Sequence, residues 1–277
     1  MTIKACIKKY ANELKNITHI PNKEVEILIL HLLQKNVIWL HLNSHLEFEY
    51  EKELEKLVKK RATDYPLEYL TKKASFYGEI FEVATNVLIP RPETELLVDK
   101  AIEILEEIKS PKVLEIGVGS GIISVMLAKL IEDISIIAVD INDDALELAK
   151  TNAIKHGVED KIEFIKSDLY ANISNETDFH MTISNPPYIA NNYKLPKNVE
   201  FEPKNALFGG KVGDELLKMI IEQTYSRKIK YLLCEMGYDQ KKPLEEFFKT
   251  FNIEEYSFYK DYSDFDRGFV IKFKKEK

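Results

Sequence analysis

Cysteine is almost missing from this chain: its 277 residues hold two, Cys6 and Cys234, each alone. That excludes a disulfide framework and a paired-cysteine metal site, and it points to a reducing compartment. Glycine and proline are sparse, at 10 each, too few for a fibrous or low-complexity chain. No apolar run approaches the ~18–20 residues that cross a bilayer. The start, Met1 to Tyr10, carries lysines with no continuous apolar stretch behind them, so no secretory leader is expected. An excess of positive charge is missing too, the formal charge being −7. Proteins that hold duplex nucleic acid usually carry a basic excess, because phosphate contacts supply much of their affinity. The expectation is a cytoplasmic monomer with no membrane and no direct nucleic-acid partner.

What is present is ordinary globular composition, with 45% hydrophobic and 31% charged residues. The length suits one large and one small domain. Residues 1–73 read as a small all-α bundle. Ile3, Ile7, Tyr10, Leu14 and Ile17 recur at spacings of three and four, one face of a helix. Pro21-Asn22 offers a second start, with Asn22 as cap and Glu24 and Glu26 in the first turn, ahead of the apolar run Val25 to Leu33. A third helix is expected from about Glu47 to Ala62, and Pro66 opens a short fourth. Trp39, Leu40 and Leu42 belong to the bundle core in this reading. His41 and His45 are four apart, but Asn43-Ser44 argues against a helix there and no third ligand is near, so no metal site is expected. The lysine-rich stretches Lys56 to Arg61 and Lys272 to Lys277 read as a solvated helix face and a ragged terminus.

Residues 74–90 read as a β-hairpin connector, with Phe76, Tyr77, Ile80, Phe81 and Val83 around Gly78-Glu79. Pro90-Arg91-Pro92 breaks regular structure, and a third part, 91–277, follows. From Lys112 onward short apolar strands alternate with helices through Tyr231–Cys234. Two more strands, near Ile253–Tyr259 and Phe269–Phe273, have no helix between them. The pattern predicts an α/β, doubly wound, mostly parallel seven-stranded Rossmann-like sheet ending in an antiparallel hairpin.

Glu115-Ile116-Gly117-Val118-Gly119-Ser120-Gly121 follows the first of these strands and opens a helix. Glycines let the backbone turn sharply beside a ligand, and the helix N-terminus adds free N–H groups. Asp140 ends the next strand, where an acidic side chain can accept both hydroxyls of a ribose. A dinucleotide site prefers G-x-G-x-x-G. Here the spacing is G-x-G-x-G, with Glu115 two places ahead; its charge repels a pyrophosphate and suits an ammonium. S-adenosylmethionine is therefore favoured over NAD. Asp168, after the third strand, is placed to hold an adenine amino group, with Leu169 packed on the ring, although an aspartate there also serves as a cap or turn former. Ser120 sits in Gly-Ser-Gly without a nucleophile elbow or triad, which disfavours a hydrolase.

The fourth strand runs into Asn185-Pro186-Pro187-Tyr188. Two prolines fix φ at successive residues and remove two donors. The Pro186 carbonyl and the Asn185 side-chain oxygen can then face one –NH₂ group, with Tyr188 as a flat surface beside it. A planar amide or amino nitrogen is a poor nucleophile, because its lone pair is delocalised. Two acceptors that grip both hydrogens favour a pyramidal nitrogen and meet the positive charge that grows on it. The segment by itself suits adenine N6, guanine N2 or glutamine alike.

The remainder of the chain resembles one family, the release factor glutamine N5-methyltransferases. The resemblance is carried by Ser75 to Val83, Val87-Leu88-Ile89-Pro90-Arg91-Pro92-Glu93-Thr94-Glu95, the glycine loop, Asp140, and Asn185 to Ile189. Glu202-Pro203-Lys204-Asn205-Ala206-Leu207 and Asp264-Phe265-Asp266-Arg267 add to it. It implies methyl transfer from S-adenosylmethionine to the glutamine of the Gly-Gly-Gln motif in peptide chain release factors, with the helical domain and hairpin helping to dock the factor. It also implies that Gly117 to Gly121 and Asp140 bind the cofactor, that Asn185 touches both cofactor and substrate, and that Pro186, Pro187 and Tyr188 complete the substrate pocket. Arg91 and Glu93 would shape its mouth or form an ion pair around the proline-rich turn. Glu115 stands where the family more often has Asp, Leu169 where it often has an aromatic ring, and Lys211 to Asp214 departs from its usual Asp-Gly order.

Overall fold

The computed structural model describes residues 1–274; residues 275–277, where the terminal lysine-rich run ends, lie outside the described residues. The chain divides into two compact units. The smaller holds Met1–Lys73 together with Leu195–Phe201, the larger Ala74–Lys194 and Glu202–Lys277.

The smaller unit is built from α1 (Ile3–Leu14), α2 (Pro21–Leu33), α3 (Val37–Asn43), α4 (Glu51–Arg61) and α5 (Leu67–Thr71). Ile3, Cys6, Tyr10 and Leu14 of α1 are fully buried against Val25, Leu28 and Ile29 of α2 and Leu54 and Val58 of α4. Each such aliphatic side chain contributes roughly 1.5–3 kcal/mol. Three expectations need correcting. Asn22 does not cap α2: the helix begins at Pro21 after Ile20, which makes no side-chain cap bond, and proline needs no N–H partner at a first helical position. Of the two acids expected in the first turn only Glu24 stands there, and Glu26 lies beyond it; Glu24 is also a buried partner of Arg61, whose Nε and Nη2 donate to it at 2.7 and 3.0 Å. And α4 starts at Glu51, while Glu47 pairs with Thr2 in an isolated antiparallel bridge. α3 was not foreseen; it covers His41, and Asn36 caps it by accepting from the Trp39 N–H at 2.9 Å. Within it Leu40 is buried and Trp39 half-buried, but Leu42, expected in the core, is exposed, as is Ile38, because α3 turns that side away from the bundle core.

The larger unit opens with a hairpin, β1 (Lys73–Phe76) and β2 (Glu79–Glu82). Its turn residues Tyr77 and Gly78 both have positive φ, 54° and 75°, the primed-turn geometry that matches strand twist. A 3-10 turn, Pro92–Thr94, leads into α6 (Glu95–Leu105). Then come β3 (Lys112–Ile116), α7 (Ile122–Leu130), β4 (Ser135–Asp140), α8 (Asp143–Lys155), β5 (Ile162–Lys166) and β6 (Met181–Ser184). A two-stranded parallel pair, β7 (Ile189–Ala190) and β8 (Phe208–Gly210), precedes α9 (Glu215–Ser226), β9 (Tyr231–Glu235) and α10 (Lys241–Phe248). The chain closes with β10 (Ile253–Lys260) and β11 (Asp266–Phe273).

The seven-stranded sheet has the order β10-β11-β9-β6-β3-β4-β5. β9, β6, β3, β4 and β5 are mutually parallel, and β11 is antiparallel to both β9 and β10. The alternation of strands and helices and the closing hairpin read from sequence are what forms. Strands covered on both faces read as unbroken apolar runs, and all four residues of β6 are buried. The chain winds outward in both directions from β3, so the crevice between the carboxyl ends of β3 and β6 is the switch point where such sheets bind ligands. Both the glycine loop and Asn185 to Tyr188 leave the sheet there. Among the described residues no single helix is long and apolar enough to cross a membrane.

Candidate active site

Glycine geometry forms the first wall. Gly117, Gly119 and Gly121 have φ of 77°, 54° and 83°, conformations that side chains resist. A Cβ on Gly121 would also meet the Cβ of Ala149 at 3.0 Å, so that glycine serves helix packing. Several of the loop's amides bond within the fold. Gly117 and Val118 N–H donate to the Val139 carbonyl at 2.8 and 2.9 Å, and Gly119 N–H donates to Asp140 at 3.0 Å. Asn152 steadies the loop, donating to the Ser120 carbonyl at 2.8 Å while accepting from Glu82 N–H at 2.8 Å.

Glu115 lies beneath the loop, 1% exposed. Gly121 supplies no side chain to cap α7, and Glu115 does so instead. Its Oε2 accepts from the Ser124 N–H at 3.0 Å and from the Ser124 hydroxyl. Its Oε1 is buried with no partner. Burial pushes the carboxyl up to about 8, against the pull of Ser124, and Asp140 adds a smaller push in the same direction. An unpartnered buried carboxylate oxygen is what the ammonium of a methionine moiety requires. Asp140 is also pushed upward by burial; besides Gly119 it accepts from Asn142 N–H at 2.9 Å.

The second wall is the end of β6. Asn185 Nδ2 donates to the Thr94 hydroxyl at 3.1 Å, Thr94 donates to Glu235 Oε2 at 2.7 Å, and Tyr188 donates to Glu235 Oε1 at 2.8 Å. Gln240 donates to the Tyr188 carbonyl at 2.8 Å. Burial moves the Tyr188 phenol and the Glu235 carboxyl upward. Gly209 runs so close that a Cβ would fall 2.3 Å from the Pro187 carbonyl oxygen. That is why β7 and β8 pair here through residues too short and glycine-rich to read as strands.

A cleft of about 290 Å³ joins the two walls. Gly117, Gly119, Asp140, Asp168, Leu169, Asn185, Pro186 and Pro187 line it, with Leu88, Ile116, Val139 and Ile141 as apolar surface. A smaller cleft of about 40 Å³ continues from it past Glu115, Val118, Ser120 and Arg91. Gly117, Gly119, Leu88 and Asn185 belong to both. Asn185 thus stands where an apolar-walled chamber meets a narrow one with an unpaired carboxylate. Asp168 is exposed, and Leu169 holds a left-handed φ of 49°.

Of the expected residues, Gly121, Glu93 and Tyr188 line neither cleft. Arg91 pairs with Glu202, not Glu93, at 2.5 Å, and Glu202 also takes the Ile89 N–H at 3.0 Å. Thr94, Ser124, Asn152, Glu202, Glu235 and Gln240 were not singled out as site residues. Thr94 and Glu202 lie in stretches quoted for the resemblance, but the other four carry no local signal: they are polar residues whose burial becomes visible only in the fold. Among the described residues, no three His, Cys, Asp or Glu side chains gather as a metal-ligand set.

Known proteins match both units. Residues 5–71 match the PrmC N-terminal domain and residues 92–200 the Methyltransferase small domain. The chain is 34% identical over 277 aligned residues to a release factor glutamine methyltransferase of Buchnera aphidicola subsp. Baizongia pistaciae, covering 96% of this chain and 98% of that one. It is 41% identical over 201 aligned residues to a release factor glutamine methyltransferase of Dictyoglomus turgidum, covering 71% of each. In fold it resembles the N-terminal domain of human METTL16 in complex with SAH, with a TM-score of 0.56, 16% identity, and coverage of 89% and 94%.

Proposed function

We propose a working assignment for this site from one premise: the chain belongs to the release factor glutamine methyltransferase family. It is an S-adenosylmethionine-dependent protein methyltransferase, and its reaction is transfer of a methyl group to the side-chain amide N5 of a release factor glutamine, the one in the Gly-Gly-Gln motif. The observation that carries the assignment is the position of Asn185, shared by the chamber beside Asp140 and the one beside Glu115.

When bound, S-adenosylmethionine supplies an electrophilic methyl on a sulfonium that departs as a neutral thioether. Glu115 would hold the ammonium with its unpaired Oε1. Asp140 would take the ribose hydroxyls, Leu169, Val139 and Ile141 would flank the base, and Asp168 would meet its amino group; all of them line the larger cleft. Asn185 Oδ1 and the Pro186 carbonyl accept the two hydrogens of the glutamine amide. They turn its lone pair toward the methyl carbon and meet the growing positive charge. With so good a leaving group, this alignment stands in for a strong base, and the proton shed by the methylated amide passes to solvent. Pro187 and the Tyr188 ring keep the segment rigid. Arg91 shapes the mouth through Glu202.

Release factor is taken as the partner, and the helical unit as its docking platform. In support, that unit has its own core and leaves Ile38 and Leu42 exposed four residues apart on α3. The net charge of −7 favours protein over nucleic acid. The test is incubation with labelled S-adenosylmethionine and, in parallel, release factor, DNA and ribosomal RNA. Label should enter the factor and disappear when its Gly-Gly-Gln glutamine is replaced; label on nucleic acid alone defeats the assignment. Asn185→Ala should lower kcat by about 10²–10³-fold while S-adenosylmethionine still binds.

A further inference from the structure

The long Ile-Pro-Arg-Pro-Glu-Thr-Glu run drew attention to Arg91 and Glu93, yet the residue of that run that reaches Asn185 is Thr94. Thr94 is 0% exposed and Glu235 1%, so no solvent competes for their hydrogen bonds. A threonine hydroxyl has one proton to give. Thr94 gives it to the Glu235 carboxylate, at 2.7 Å. Toward Asn185 it can therefore only accept, and the group it accepts from must be the amide nitrogen. The polarity of the chain runs from the carboxylate outward and decides which way the Asn185 amide faces.

We propose that Thr94 and Glu235 are positioning residues that lock the Asn185 amide with its nitrogen inward and its oxygen toward the cleft. An amide turned by half a rotation would set its oxygen against the lone pairs of Thr94. It would also offer an –NH₂ to the cleft, where a substrate –NH₂ needs an acceptor. Glu235 does a second job with its other oxygen, which takes the Tyr188 hydroxyl at 2.8 Å. One carboxylate at the end of β9 thus fixes the side chains on both sides of Pro186-Pro187. The 3-10 turn at Pro92–Thr94, closed by the Thr94 N–H to Arg91 carbonyl bond at 3.1 Å, holds the hydroxyl in place. The inference rests on the methyl-transfer reading for its purpose, but the amide orientation stands apart from it.

The experiment compares the wild type with Thr94→Val, which keeps the shape and loses the hydroxyl, and Thr94→Ser, which keeps the hydroxyl. The side-chain NH₂ resonances of Asn185, assigned by their loss in Asn185→Asp, report the orientation without any need for activity. That pair should be protected from exchange in the wild type and in Thr94→Ser, and unprotected in Thr94→Val. In parallel, kcat on release factor should fall by about 10–100-fold in Thr94→Val, with the Kd for S-adenosylmethionine within about twofold of wild type, and Thr94→Ser should recover most of the rate. An Asn185 pair equally protected in Thr94→Val overturns the proposal, whatever the enzyme methylates. So does a Thr94→Ser variant as slow as Thr94→Val. A wild type that shows the protected pair but leaves release factor unlabelled would refute the assigned substrate and uphold the lock.

Discussion

Glu115 and Glu235 stand near the carboxyl ends of β3 and β9, with β6 and its Asn185 between them. Both are 1% exposed, and burial pushes both upward. They differ in how their oxygens are used. Glu235 has a donor on each, Thr94 on one and Tyr188 on the other. Glu115 spends one oxygen on Ser124 and leaves the other buried with nothing. A buried polar atom without a partner costs about 1–3 kcal/mol; Arg61, His156, Tyr259 and Asp266 also carry one, but of these five residues Glu115 is the one that lines the clefts. The closed carboxylate organises the protein, and the open one awaits a ligand.

The sharpest way to break this comparison is Glu115→Gln, which keeps the shape and removes the charge. Removing one partner of a buried, hydrogen-bonded charge pair costs about 2–4 kcal/mol. S-adenosylmethionine should therefore bind about 30–1000-fold more weakly by calorimetry. The ligand-free protein should lose no thermal stability, since no internal cation is abandoned. Wild-type affinity in the variant would end the idea of an open carboxylate. Glu235→Leu should show the reverse pattern. Two buried hydroxyls lose their acceptor, at about 1–3 kcal/mol, so urea unfolding should shift down while the Kd for S-adenosylmethionine stays near wild type. Loss of cofactor affinity with unchanged unfolding would merge the two carboxylates into one role.

This contrast also explains what could be read in the sequence. The strand and helix alternation was legible because burial on both faces writes itself as apolar runs, and the closing hairpin because no helix intervenes between its strands. The glycine loop, Asp140 and Asn185 to Tyr188 were legible because each is a local stretch whose residue types are demanded by backbone geometry. Glu115 was singled out for its place two residues before a glycine. Glu235 was not, since its partners lie 141 and 47 residues away and only the sheet brings them together. Thr94 was passed over for its charged neighbours, because a threonine carries no sign of where its proton goes. In the helical unit α3 was missed where Asn43-Ser44 reads as a break, although Asn36 caps a short helix that ends there. Asn22 reads as a cap because it follows proline, yet proline itself starts the helix.

Acid–base linkage tests the open carboxylate more gently. Glu115 holds its proton to about 8 in the folded chain, against 4.5 as its ordinary value. Between those values the folded state binds more protons than the unfolded state. The stability this confers is full below about pH 4.5 and is lost as pH rises through about 8, at most about 1.4 kcal/mol per pH unit. Asp140 and Glu235 shift in the same direction, so the informative quantity is the difference between wild type and Glu115→Gln across that window. The slope should be shallower in the variant; identical slopes would mean that Glu115 is already ionised. Binding S-adenosylmethionine at pH 6.5 should also release a proton from the wild type and none from the variant.

The smallest effect is expected from Ser124→Ala, and it separates the two halves of the Glu115 environment. The Ser124 hydroxyl and N–H both pull the Glu115 carboxyl down against burial. Removing the hydroxyl leaves the backbone N–H bond at 3.0 Å in place, so α7 keeps its cap and the fold should be little changed. The carboxyl should then hold its proton to a higher pH. At pH 7 cofactor binding should weaken by about 0.5–1.5 kcal/mol, and the deficit should shrink as the pH is raised toward 8.5, where the carboxylate forms without help. A deficit that stays constant with pH would mean that the hydroxyl shapes the loop rather than the charge. A deficit as large as that of Glu115→Gln would mean that Ser124, not the open oxygen, is what the ligand depends on.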